Sequence, residues 1–183
     1  MREVYISADN IITPLGFTTE ENAGVMLEDR SGIGLIEDKK LSPAPFHASL
    51  LDKNILHELF SSFDDPGKYT RFEQLAICSV KGAITGNVPD LSGSRTIFIL
   101  STTKGNVNLL ETDPGDKRIF LWNTAHLLGR YFNFRNEPLI ISDACISGIQ
   151  AIITGVRLIK AGLYDNAVIN GTDIVSEFIV SGF

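Results

Sequence analysis

Leu139-Ile140-Ile141-Ser142-Asp143-Ala144-Cys145-Ile146-Ser147-Gly148-Ile149-Gln150-Ala151-Ile152 joins a short apolar run to a polar turn and then to an amphipathic segment. Pro138 sets off the run Leu139–Ser142, which reads as a short buried strand. From Cys145 to about Ala161 the spacing predicts a helix, with Ile149, Ile152, Ile153, Val156 and Ile159 on its apolar face and Gly162 where a C-terminal glycine belongs. A cysteine therefore falls where a strand becomes a helix. A helix N-terminus presents unsatisfied N–H groups and a positive dipole end. Both favour thiolate over thiol, and the thiolate is the nucleophile. The same N–H groups can hold an oxyanion during acyl transfer. Gly148 is read as letting the first helical turn approach a neighbouring backbone. A plainer reading stays open on spacing alone, with Cys145 a small apolar residue buried at the junction.

Working outward, the neighbouring segments alternate strands with helices. Val4–Ala8 and Ile11–Ile12 read as a first strand and its continuation, then come turn residues Thr13-Pro14-Leu15-Gly16. A helix is expected from about Thr19 to near Arg30, capped by Thr18 or Thr19, with Glu20 and Glu21 in its first turn. Residues 37–69 gather Pro43, Pro45 and Pro66 in polar sequence and read as an irregular excursion with one short helix near Lys53–Phe60. A second helix is predicted over Thr70–Thr85, a buried strand over Thr96–Ser101, a helix over Lys117–Phe132 and a last strand over Ala167–Asn170. This alternation argues a layered α/β fold with a mostly parallel or mixed sheet.

Composition excludes several classes. Hydrophobic residues make up 44% and charged residues 21%, which suits a globular protein with a core. The net charge of −6 and the scattered basic residues argue against nucleic-acid binding. No apolar run approaches the roughly 18–20 residues of a membrane span, and the N-terminus lacks a signal-peptide core. A cytoplasmic protein is expected. His47, His57 and His126 lie far apart and away from cysteine, so no metal site is expected. Cys78, in the predicted Thr70–Thr85 helix, reads as a non-catalytic thiol. Gly32-Ile33-Gly34 lacks the third glycine of a dinucleotide loop, and Ser101-Thr102-Thr103-Lys104-Gly105 lacks phosphate-loop spacing.

Asp143-Ala144-Cys145-Ile146-Ser147-Gly148-Ile149-Gln150-Ala151-Ile152 is similar to the active-site signature of the β-ketoacyl-acyl carrier protein synthases. That signature reads small residue, Ala-Cys, two variable positions with Ser second, Gly, then Ala-Ile. Asn10–Gly16 resembles the family's opening turn, Arg30-Ser31-Gly32-Ile33 its Ser-Gly-Ile turn, and Arg71-Phe72-x-x-Leu75-Ala76 its Arg-Phe helix. Leu158-Ile159-x-x-Gly162-x-x-Asp165, Asn170-Gly171-Thr172-Asp173 and Phe178…Gly182-Phe183 resemble the family's segments on the C-terminal side of its cysteine. The matches keep family order along the chain. Asp143, Ile146 and Asn170 depart from the family's threonine, small residue and glycine.

The resemblance implies a thiolase-like fold with helices on both faces of the sheet, of which residues 1–183 would be the N-terminal half, incomplete and inactive alone. It implies decarboxylative Claisen condensation. Cys145 would be the acyl-accepting nucleophile, with its backbone N–H as one oxyanion-hole donor. The family's catalytic histidines, a lysine and a glycine-flanked phenylalanine belong to the second half. The implied partner is an acyl carrier protein bearing acyl and malonyl thioesters. A homodimer is implied and no cofactor. Two rival readings stay open. One is a non-catalytic ketosynthase-like subunit; the other is an unrelated cysteine hydrolase in which His126 would serve Cys145.

Overall fold

The structure, a computed structural model, describes residues 3–86 and 89–182. Phe183 of the last motif lies outside them. The chain forms two compact units, one of Met1–Ala8 with Ala83–Asp173 and one of Asp9–Gly82 with Ile174–Phe183.

In the second of these, α1 spans Thr19–Leu27. Its capping box is complete: the Thr18 hydroxyl accepts the Glu21 N–H at 3.1 Å, and the Glu21 carboxylate accepts the Thr18 N–H at 3.2 Å. The helix stops short of Arg30 because Asp29 turns left-handed, with φ of 55°. Next comes a hairpin not foreseen in the sequence, pairing β1 (Gly34–Ile36) with β2 (Phe46–Ala48) antiparallel. Three-residue strands separated by a proline-bearing loop carry too little alternation to be read. Helix α2 (Lys53–Ser61) is capped by Asp52, whose carboxylate accepts the Asn54 N–H at 2.7 Å. Helix α3 runs Arg71–Ala83. Phe60 of α2 packs its ring 5.1 Å from Phe63 and 5.3 Å from Tyr69, and with Leu56, Phe72, Ala76 and Ile77 it is fully buried. A short α7 covers Glu177–Val180.

The other unit holds a parallel three-stranded sheet in the order β4-β3-β5, made of β3 (Thr96–Ser101), β4 (Leu139–Ile141) and β5 (Asn166–Gly171). Every residue of β3 is buried, as its unbroken apolar run requires of a central strand. Alternation sends Ile97 and Ile99 to one face, where they meet Ala151 of α6 (Ser147–Lys160). On the opposite face Phe98 stacks on Phe134, 5.2 Å away, just beyond α5 (Leu121–Tyr131). A one-turn α4 (Leu109–Thr112) and a 3₁₀ turn at Lys117–Ile119 precede α5. At the amino edge of the sheet Arg95 closes the α6–β5 connection. Its guanidinium donates to both carboxylate oxygens of Asp165 at 3.0 and 3.1 Å, and to the carbonyls of Gly162 and Leu163 at 3.0 Å each.

The structure corrects two expectations. Val4–Ala8 forms no strand; Tyr5 and Ile6 lie exposed with no ladder partner among the described residues. Strand propensity measures fit to a pleated, half-buried surface, and none is offered to them. The buried face of α6 is also not the isoleucine face. Ser147, Ala151 and Gly155 are buried, while Ile149, Ile152 and Ile153 are 64%, 46% and 37% exposed. The helix turns its smallest residues to the sheet because it lies so close: a Cβ on Gly155 would stand 3.2 Å from both Ala167 Cβ and Ile169 Cδ1.

Candidate active site at the carboxyl edge of the sheet

Parallel α/β sheets bind ligands beyond the carboxyl ends of their strands. Three such ends meet here. The Thr102 N–H donates to the Ile141 carbonyl at 3.2 Å, and the Thr172 N–H to the Ser101 carbonyl at 3.3 Å, so the ladder runs one residue past the strands. The three loops that leave this edge carry Thr102–Asn106, Ser142–Ile146 and Thr172–Asp173.

The loop after β3 is organised by one hydroxyl. Thr102 Oγ1 donates to Asp173 Oδ1 at 2.9 Å and accepts the Gly105 N–H at 3.1 Å. Gly105 takes a left-handed φ of 52°, which a side chain would oppose. Buried Asn106 then donates to Thr124 Oγ1 at 3.0 Å, tying the loop to α5. Loss of solvent around its carboxyl pushes Asp173 above the usual range, against the opposing pull of the Thr102 hydroxyl and Lys104.

Cys145 lies on the next loop, in a 3₁₀ turn over Ala144–Ile146 that feeds α6. It is exposed, and the plainer reading of it as a buried packing residue is set aside. Ala144, just before it, is left-handed with φ of 43°, a rare state for a residue with a Cβ. The turn is closed by the Ile146 N–H on the Asp143 carbonyl at 3.1 Å, the Ser147 N–H on the Ala144 carbonyl, and the Asp143 N–H on Ser147 Oγ at 2.8 Å. The Cys145 N–H takes no part in these bonds. Ile146, at the N-cap of α6, brings no side-chain acceptor, so the positive end of the helix faces the cysteine turn. Gly148 has open space where a Cβ would stand; the close approach expected of it is made by Gly155 instead.

The other candidates each have surroundings of their own. Cys78 is buried in α3, and burial pushes its thiol up to about 11. His126 lies on α5, its Nδ1 3.2 Å from Glu137 Oε2 and its ring edge-on to Trp122. These three line a shallow cleft of about 410 Å³ with Arg130 and Arg135. His47 is on β2 and His57 on α2, both in the other unit. Among the described residues no helix is long and apolar enough to cross a membrane. Ser147, Ala144 and Asp173 carry more of the geometry than the sequence alone disclosed. The signal present was the serine two residues after the cysteine.

In fold the chain is similar to solved ketosynthases, whose fold is thiolase-like. Over 98% of its length it superposes, with a TM-score of 0.73 and 22% identity, on 49% of a chain in the complex of the ketosynthase ApeO with its chain length factor ApeC from Xenorhabdus doucetiae. It matches the ishigamide ketosynthase/chain length factor at a TM-score of 0.69 and 17% identity, covering 94% of this chain and 53% of that one. A β-ketoacyl synthase from Burkholderia phymatum matches at 0.67 and 18%, over 90% and 45%. The chain thus spans about half the length of the solved structures it matches. No family model and no curated protein sequence matches it.

Proposed function

We propose that this chain supplies the acyl-accepting half of a condensing enzyme, with Cys145 as nucleophile. One observation carries the reading: an exposed cysteine stands on a strained turn at the carboxyl end of a parallel strand, directly before a long helix. The Cys145 thiolate attacks the thioester carbonyl of an acyl group on an acyl carrier protein. A carbon–sulfur bond forms to Cys145 and the bond to the carrier's sulfur breaks; the carrier leaves as a thiolate and takes up, by way of solvent, the proton that Cys145 gave up. The Cys145 N–H, unused by the turn, donates to the oxyanion in between. A malonyl thioester then loses carbon dioxide, and its carbanion attacks the acyl-cysteine. The new carbon–carbon bond releases the Cys145 thiolate. Groups that assist decarboxylation belong, by the family resemblance, to the other half of the fold. The working assembly is a homodimer or a pair with a chain-length-factor-like protein.

Acylation is the test. The chain is incubated with an acyl carrier protein thioester and digested for peptide mass spectrometry. An acyl adduct on Cys145 that disappears in Cys145→Ala is expected. An adduct confined to Cys78 overturns the assignment, and no adduct at all favours a non-catalytic ketosynthase-like subunit.

A further inference from the structure

Ser147 is the first residue of α6 and only 6% exposed. A hydroxyl at the start of a helix ordinarily faces forward and accepts an N–H of the first turn. This one faces backward. Its Oγ accepts the Asp143 N–H at 2.8 Å and donates to the Ala144 carbonyl at 2.8 Å. The Ala144 carbonyl also accepts the Ser147 N–H, so one side chain engages both ends of the peptide segment that precedes the cysteine. That segment contains left-handed Ala144, which has no glycine's freedom to hold the conformation unaided. The Cys145 thiol is exposed, and its aim, like that of its N–H, is set by the turn that carries it.

We propose that Ser147 is a positioning residue for Cys145: its hydroxyl holds Ala144 left-handed and so directs the Cys145 thiol and N–H to one point. The inference rests on the reading of Cys145 as the nucleophile. It separates two kinds of reaction at the same sulfur. Alkylation by iodoacetamide needs the thiol alone, whereas acyl transfer needs the thiol and the N–H aimed together. Loss of the hydroxyl therefore harms acyl transfer more than alkylation.

Both rates are measured at Cys145 by peptide mass spectrometry in the wild type, Ser147→Ala, Ser147→Thr and Ser147→Val, with folding checked by circular dichroism. Ser147→Ala is expected to slow acyl transfer from an acyl carrier protein thioester by about tenfold or more, with alkylation within about threefold of wild type. Ser147→Thr restores acyl transfer and its near-isostere Ser147→Val does not. This pair decides the matter if Ser147→Ala fails to fold. Equal acyl transfer in folded wild type and Ser147→Ala, equal losses in both reactions, or rescue by Val as good as by Thr overturns the role of Ser147. Absence of acyl transfer in the wild type, with Cys145 still alkylated, marks failure of the nucleophile reading itself, and the positioning role falls with it.

Discussion

Cys78 and Cys145 carry the same thiol into opposite surroundings. Cys145 is open to solvent on its turn, while Cys78 is sealed into α3 with its thiol pushed up to about 11. At pH 8 a thiol with that value is ionised in about one molecule per thousand, and the thiolate is the reactive form. Brief iodoacetamide treatment of folded protein should label Cys145 first; earlier labelling of Cys78 would count against the assignment. The same burial makes stability depend on alkaline pH. The folded value lies above the ordinary 9.0, so the stability Cys78 contributes is fully present below about pH 9. It is lost as pH rises towards about 11, because the unfolded chain ionises first, and the loss amounts to roughly 2–3 kcal/mol. Denaturant titrations of wild type and Cys78→Ala between pH 8 and pH 11 check this: the two curves should converge as pH rises, and a constant gap refutes it.

At the scale of elements, the small face of α6 sets how near the helix can come to β3 and β5. Gly155→Val would drive two methyl groups towards Ala167, Ile169 and Ile99, which already stand within 3.2–3.7 Å of a Cβ there. A loss of about 1–3 kcal/mol in denaturant unfolding is expected, and an unchanged midpoint would mean that the helix can lift from the sheet. This contact also shows where sequence reading reaches and where it stops. Strand β3 was legible because four successive buried positions, Ile97 to Leu100, leave a continuous apolar run between Thr96 and Ser101. Helices α3 and α6 declared themselves by period. The burial direction of α6 did not, because hydrophobicity ranks Ile149 and Ile152 above Ala151 and Gly155, while close packing selects for size. The first strand failed for a related reason: Val4–Ala8 has the residues of a strand, and propensity cannot supply a neighbour. At the candidate site Cys145 was legible as a motif. The clamp from Ser147 and the tie from Thr102 to Asp173 were not, since they depend on hydrogen-bond directions that a spacing does not contain.

For the molecule as a whole, the sheet ends at β4 on one side, and β4 is a poor place to end. It is short, apolar and only partly covered, with Leu139 exposed and Ile141 turned into the Ile97 and Ile99 core. Edge strands of that kind invite pairing with another copy. A two-fold contact would use the same strand on both subunits. Light scattering at micromolar concentration should give about twice 20.0 kDa, and Leu139→Lys, which spares the core, should shift the population towards monomer. A wild-type monomer, or a dimer indifferent to the lysine, would place the contact elsewhere. The fork of Arg95 at the amino ends of β3 and β5 bears on time rather than on affinity. It joins positions 70 residues apart in sequence, on a sheet whose pairing is itself non-local. Contacts of that range cost loop-closure entropy before they reward it, and the half-exposed Arg95–Asp165 pair is expected to close after the sheet strands it joins. A bond made after the barrier acts as a brake on the way out, not a guide on the way in. Arg95→Ala should therefore leave the refolding limb of a chevron nearly in place and raise the unfolding limb, shortening the lifetime of the native sheet. A slowed refolding limb would instead make the fork part of the nucleus.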